Sequence, residues 1–201
     1  MSSLHSMAVI CGLAVFMSAA AHAEDWQVAK EEGGIKVSLS EVAGSKYKAY
    51  RGETVINASL GKLRALQEDV VGACAWIHEC KAQKLLKHEG GKVWTYTQFN
   101  TPWPVTPRDS VLLVTTQEGP DGSLTRKLEG QPKYIPEEQG FVRVAQVEGY
   151  WKFVPKGPGK TQVTYQVHTE PGGSVPSWLA NKFVVDAPFN TLKALKEKAE
   201  K

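Results

Sequence analysis

The chain has 201 residues, with 24 Lys and Arg against 21 Asp and Glu and a formal net charge of +3. That balance is too mild to argue for nucleic acid as a partner, and the length is typical of a leader followed by one domain with a single core. No repeat, low-complexity tract or inter-domain linker divides it.

Residues 1–23, MSSLHSMAVICGLAVFMSAAAHA, lack Lys, Arg, Asp and Glu, hold an apolar run from Met7 to Met17 and end in Ala21-His22-Ala23. A short apolar run closed by a small-x-small site reads as a secretory signal peptide, although His5 stands where a Lys or Arg is usual. The run falls short of the roughly 20 residues that span a bilayer. Ile10 before Cys11 argues against lipidation. The expectation is an exported protein, periplasmic or secreted, whose mature domain occupies residues 24–201.

After a short helix expected over Asp25 to Glu32, Gly33-Gly34 punctuates the chain, and Ile35-Lys-Val-Ser-Leu-Ser alternates like a half-buried strand. Tyr47 to Ile56 reads as a second strand. Asn57 or Ser59 can cap a helix with Leu60, Leu63, Leu66 and Val70 at helical spacing.

Cys74 and Cys80 follow in GACAWIHECK. In an oxidising compartment a close pair is a disulfide candidate. Six residues of unbroken helix would separate their Cα atoms by roughly 9 Å, beyond bridging range. A bridge therefore needs the helix to end near Trp76 to His78; the alternative is two half-buried thiols. No second pair or spaced histidines suggest a metal site.

From about Ala82 the chain becomes a series of alternating segments: Gln83 to Glu89, Val93 to Asn100, Asp109 to Glu118, Leu124 to Gly130, Phe141 to Val154 and Thr161 to Glu170. Gly90-Gly91, Asp121-Gly122 and the Pro155 to Lys160 run are hairpin punctuation. Short connections between consecutive strands imply an antiparallel meander. The last element is a long helix from Ser174 to about Lys198, with Trp178, Leu179 and Phe183 on its apolar side and a break or kink expected at Pro188. It is the one long apolar-faced element able to cover a curled sheet, and an enclosed space is expected between the two.

Two motifs go further: Pro102-Trp-Pro-Val-Thr-Pro-Arg108-Asp109 before Ser110-Val-Leu-Leu-Val, and Pro171-Gly-Gly-Ser-Val-Pro-Ser-Trp-Leu-Ala-Asn181. With Val142-Arg143 ahead of Gly149-Tyr-Trp, they resemble the START family of steroidogenic-acute-regulatory-related lipid transfer domains, in matching order from about Trp26 to Leu195. The second motif is especially similar to that of phosphatidylcholine transfer proteins. The resemblance implies an α+β helix-grip fold, a curved antiparallel sheet around the C-terminal helix. It also implies a tunnel for one phospholipid-like ligand, transient membrane contact and no cofactor. Gly172, Gly173 and Pro188 are the places where a lid would hinge.

Arg108 and Asp109 are either an ion pair fixing the start of the strand or, for Arg108, a cation that meets a lipid phosphate or carboxylate. Leu112, Leu113 and Val114 occupy the region where cholesterol-type members carry a further arginine, which puts a sterol in doubt. Arg143 shares strand parity with Val147, Trp151 and Phe153, so it either pairs with a buried acid or faces the ligand. Phe99, Leu112, Val114, Val163, Tyr165, Val167, Trp178, Leu179 and Phe183 are expected to line the tunnel, while Gln166 and His168 face away. Trp94, Tyr96, Tyr150, Trp151, Tyr165 and Trp178 are candidates for a choline cage, against the ordinary role of strand aromatics as core. His78, His88 and His168 have no acidic partner at telling spacing, and no nucleophile elbow or phosphate loop occurs. The leading expectation is lipid carriage; the alternatives are an enzyme of the same fold, such as a cyclase or hydrolase, and a ligand sensor.

Overall fold

The computed structural model describes residues 25–101 and 103–201; the leader read in residues 1–23 lies outside them. Ten strands form one sheet: β1 (Gln27–Glu32), β2 (Ile35–Ser40), β3 (Ala49–Ile56), β4 (Cys80–Glu89), β5 (Lys92–Phe99), β6 (Arg108–Glu118), β7 (Leu124–Gly130), β8 (Val142–Arg143), β9 (Gln146–Pro155) and β10 (Thr161–Glu170). The spatial order is β1-β2-β3-β10-β9-β7-β6-β5-β4, with β8 pairing in parallel with β6 and every other pairing antiparallel. The sheet curves around α2 (Ser177–Ala199), and α1 (Leu60–Glu68) closes one end with a 3₁₀ turn at Gly72–Ala75. Ser59 caps α1 by accepting the Lys62 amide at 3.2 Å.

The segment expected as a first helix is instead the edge strand β1. Gly33 and Gly34 both have positive φ, 60° and 73°, and make the two-residue turn that joins Glu32 to Ile35 across a hairpin. The charges of this segment, Lys30, Glu31 and Glu32, serve here to protect a sheet edge. A second difference concerns the expected strand from Phe141 to Val154, which is two strands. Val144 donates its amide to the Asp109 carbonyl at 2.9 Å and Ala145 donates to Glu170 at 3.0 Å. The chain thus leaves β6 for β10 within one residue, and the side-chain alternation of β9 does not extend back to Arg143.

The C-terminal half of α2 packs into the hollow of the curved sheet. Phe189, Leu192, Leu195 and Ala199 meet Ile35, Val37, Ile56, Phe153 and Val163 in the main apolar cluster, most of them wholly buried. Gly52 on β3 makes the close approach possible, since a Cβ there would lie 2.5 Å from Leu192 Cδ1. The helix runs through Pro188 without interruption, so of the expected break or kink the break is absent, and Pro188 lies against the same glycine. Cys74 and Cys80 are disulfide-bonded, their Cα atoms 5.1 Å apart. The 3₁₀ turn ends at Trp76, between them.

Candidate ligand-binding site

Beyond that filled half, α2 no longer touches the opposite wall. A cavity of about 280 Å³ lies beneath its N-terminal half, walled by β3, β6, β9, β10 and the helix. Phe99, Arg108, Leu112, Tyr165 and Phe183 line it, as the sequence led one to expect. Tyr50, on β3 beside Val167, is a further lining residue that sequence reasoning missed. Its ring stands edge-on to Tyr165 at 5.3 Å. Burial pushes the phenol pKa of both tyrosines upward, so each remains a neutral hydroxyl facing the cavity.

Arg108 and Asp109 do not pair with each other. Successive strand residues point to opposite faces, and the two side chains serve different purposes. Asp109 receives Arg143: Nε donates to Oδ1 at 2.8 Å and Nη2 to Oδ2 at 3.0 Å, with both side chains almost wholly buried. The remaining Arg143 hydrogens go to the carbonyls of Pro132, Ile135 and Pro136, at 2.7–3.1 Å. All five guanidinium N–H donors are thereby used. The Asp109 hydrogen bond holds the Arg143 pKa above its ordinary value, and Tyr96 donates its hydroxyl to Asp109 at 2.9 Å. Arg143 therefore belongs to a clamp on the 131–141 loop and does not line the cavity, correcting the ligand role expected for it; of its two readings, the buried acid is the one found.

Arg108, on the inner face, has no carboxylate among the described residues. Nη1 donates to the Thr106 carbonyl and Nη2 to the Gly172 carbonyl at 3.3 Å, while Nε has no partner. The residue is 6% exposed, and burial lowers its pKa. A guanidinium held by two neutral carbonyls inside an apolar cavity is electrostatically incomplete. An anionic oxygen from a ligand is the group that would complete it.

The other expected wall residues fall elsewhere. Val114 is buried further along the inner face of β6 and Val163 lies in the filled core, so neither borders the cavity. Leu179 sits in a small cluster with Tyr47, Val105, Val175 and Ala180 that closes the cavity's end. Trp178 is 70% exposed, so its expected place in the wall is wrong. At 3.6 residues per turn, Leu179 and Phe183 share a face that Trp178 does not. Gly172 and Gly173 have positive φ and lie against Val142–Arg143; with Pro188 they mark the two ends of the cavity's cover. Of the proposed choline-cage aromatics, Tyr165 alone lines the cavity; Trp94 stacks on Tyr134, and Tyr150 donates to Gln166.

Gln166 and His168 face away from the cavity, toward a larger polar groove of about 720 Å³ on the outer side of the sheet. There His168 Nε2 lies 3.3 Å from Glu170.

A many-stranded antiparallel sheet with a long C-terminal helix is the arrangement that the comparisons with known proteins meet. A family model described as START domain matches residues 12–200. The chain belongs to the START domain family. It is 56% identical over all 201 residues, and the whole of both chains, to an uncharacterized protein of Pseudomonas aeruginosa. Among solved structures it resembles a STAR-related lipid transfer protein fragment from Xanthomonas axonopodis, 38% identical with a TM-score of 0.82 over 88% of this chain and 99% of the other. Human StAR-related lipid transfer protein 5 shares the START fold at 20% identity, with a TM-score of 0.77 over 87% and 86% of the two chains. The START fold supports lipid binding, and the cavity under α2 is where this chain has room for a lipid.

Proposed function

We propose that this START domain carries one anionic lipid, its head group against Arg108 and its apolar part along Leu112, Tyr165 and Phe183. The observation that supports this most is the buried Arg108 guanidinium, without a carboxylate partner among the described residues, in a predominantly apolar cavity. Each methylene moved from water into that lining contributes roughly 0.8 kcal/mol, and the charged head fixes orientation. The cavity's volume is at the small end of the roughly 300–1,000 Å³ of ligand pockets, which suits a single acyl chain; a two-chain phospholipid requires the α2 cover to move outward, with Gly172, Gly173 and Pro188 as the hinges. Carriage is favoured over catalysis by the family match and by the similarity to lipid transfer proteins of the same fold. The short apolar run closed by a small-x-small site in residues 1–23 supports export, so the carrier is proposed to act in the periplasm or medium.

Native mass spectrometry of the protein purified from its own host tests this reading. The expected spectrum contains a one-to-one adduct with the mass of an anionic lipid. A ligand-free spectrum that lipid extracts leave unchanged contradicts it.

A further inference from the structure

Three of the described arginines are buried: Arg108, Arg126 and Arg143, at 6%, 4% and 7% exposure. Arg143 shows what a satisfied one looks like, with Asp109 for charge and an acceptor for every donor. Arg108 opens on the cavity. Arg126 has neither a paired carboxylate among the described residues nor a place in that lining. It lies on the inward side of β7, two residues before Leu128, which borders the cavity where Arg126 does not. Its Nη1 donates to both oxygens of Gln67 on α1, the main-chain carbonyl and Oε1, and its Nε has no partner. Glu68, next in sequence to Gln67, is exposed and held by Arg64 at 2.9 Å. Burial lowers the Arg126 pKa.

Two more buried donors belong to the same place and lack acceptors, Gln67 Nε2 and Trp76 Nε1. Gln67 reaches it from α1, on the buried helix face that it shares with Leu63 four residues earlier. Trp76 reaches it from the end of the 3₁₀ turn. Its ring stands edge-on to Trp151 at 6.0 Å, and Trp151 is the cross-strand partner of Arg126 on the same inward side. Three elements therefore bring donors, one of them a permanent cation, to one end of the main apolar cluster, among Leu63, Leu124 and Trp151. No paired carboxylate comes with them among the described residues. Burying a cation without a counter-charge is expensive, and buried donors without acceptors add to the cost. One anion answers both.

We infer that Arg126, Gln67 and Trp76 form a binding site for one small inorganic anion, chloride or another halide, which ties α1 and the 3₁₀ turn to β7. None of the three lines the lipid cavity. Leu128 and Tyr165, which do line it, stand next to the site, Leu128 two residues along β7 from Arg126 and Tyr165 stacked on Trp151 at 3.8 Å. The site is separate from the head-group position at Arg108, and the inference stands whether or not the protein carries lipid. A halide suits these surroundings better than phosphate or sulfate. It takes N–H donors from any direction, sheds its water more readily among apolar side chains, and has no further oxygens in need of donors.

The test combines diffraction with thermal unfolding. Wild-type crystals grown in sodium bromide are expected to show an anomalous peak at hydrogen-bond distance from Arg126 Nε, and crystals of Arg126→Met none there. In solution, replacing gluconate by chloride at constant ionic strength, from about 1 to about 200 mM, is expected to raise the wild-type unfolding midpoint by at least about 4 °C. Arg126→Met is expected to abolish that rise, Gln67→Leu to reduce it by about half, and Arg108→Met to leave it intact. Circular dichroism verifies that the variants fold; should Arg126→Met fail to, Gln67→Leu, which keeps the cation, carries the comparison with Arg108→Met. A wild type without the bromide peak at Arg126 overturns the proposal, whether a water or a lipid carboxylate is found there. A midpoint indifferent to chloride overturns it too. So does a rise that Arg108→Met abolishes and the substitutions at the site leave unchanged, which would put the anion in the lipid cavity. Peak and rise in a protein that takes up no lipid uphold the anion site and contradict the carrier reading alone.

Discussion

The two halves of α2 face the same sheet and do opposite things. The C-terminal half sends Phe189, Leu192 and Leu195 into a filled core against Ile56, Phe153 and Val163. The N-terminal half spans a cavity edged by Phe183, Val184 and Ala187. The difference begins at Gly52, whose missing side chain lets Leu192 reach the backbone of β3. Nothing equivalent draws the other half inward, and there Tyr50, Tyr165 and Arg108 place bulky or polar groups on the wall. One end supplies stability and the other supplies space. A single helix can thus anchor the domain while covering its ligand.

The sharpest way to break this comparison is to cut the same kind of residue from both halves. Leu192→Ala is expected to cost about 4 kcal/mol in urea unfolding, near the upper part of the range for wholly buried leucines. Phe183→Ala, which enlarges an existing cavity, is expected to cost about 1 kcal/mol, well below the usual value for a core phenylalanine. Equal losses would mean that the two halves are packed alike.

The neighbouring positions 108 and 109 repeat the contrast on one strand. Asp109→Asn leaves Arg143 buried without its counter-charge, and a loss of about 3 kcal/mol is expected in the same assay. Arg108→Met removes a buried cation that no carboxylate among the described residues balances, so unfolding free energy is expected to stay within about 1 kcal/mol of wild type or to rise. A large destabilisation by Arg108→Met would assign that arginine to structure.

How much of this was legible in the sequence depended on whether a local pattern decided the matter. Strand alternation in Thr161–Glu170 correctly put Val163, Tyr165 and Val167 inside and Gln166 outside, because a period of two survives any curvature. The cysteine spacing required a helix end near Trp76, and the 3₁₀ turn ends there. Which of the two readings of Arg143 holds was not legible, because its strand changes partner after two residues, an event set by the hydrogen bonds of Val144 and Ala145 rather than by any residue pattern. Trp178 was misread through size: a large apolar side chain next to Leu179 looked like wall, whereas helical geometry turns it outward. Tyr50 carried a usable signal, the alternation of Tyr50, Gly52, Thr54 and Ile56 along β3, all of which are buried. The identity of the cavity's charged residue needed the fold, since Arg108 and Asp109 differ only in which face of β6 they occupy.

The smallest effect expected is on alkaline stability. Tyr50 and Tyr165 have pKa values raised by burial, Tyr50 well above the ordinary value of about 10. A group whose folded pKa is raised contributes stability that is fully present below its unfolded pKa and is lost as pH rises through the folded one. Stability is therefore expected to decline from about pH 10 upward, and Tyr50→Phe/Tyr165→Phe to flatten that decline. An unchanged alkaline slope in urea unfolding of the double variant would mean that neither hydroxyl is buried in solution.

The central claim is that Arg108 reads the anionic head of a bound lipid. The most direct measurement is competition for the cavity between a fatty acid and its methyl ester, made on wild type and on Arg108→Met with one fluorescent probe. The account predicts that wild type prefers the acid by at least about tenfold, the worth of one charge-assisted hydrogen bond, and that Arg108→Met binds acid and ester alike. An equal preference in both proteins, or a wild type indifferent to the charge, would contradict it.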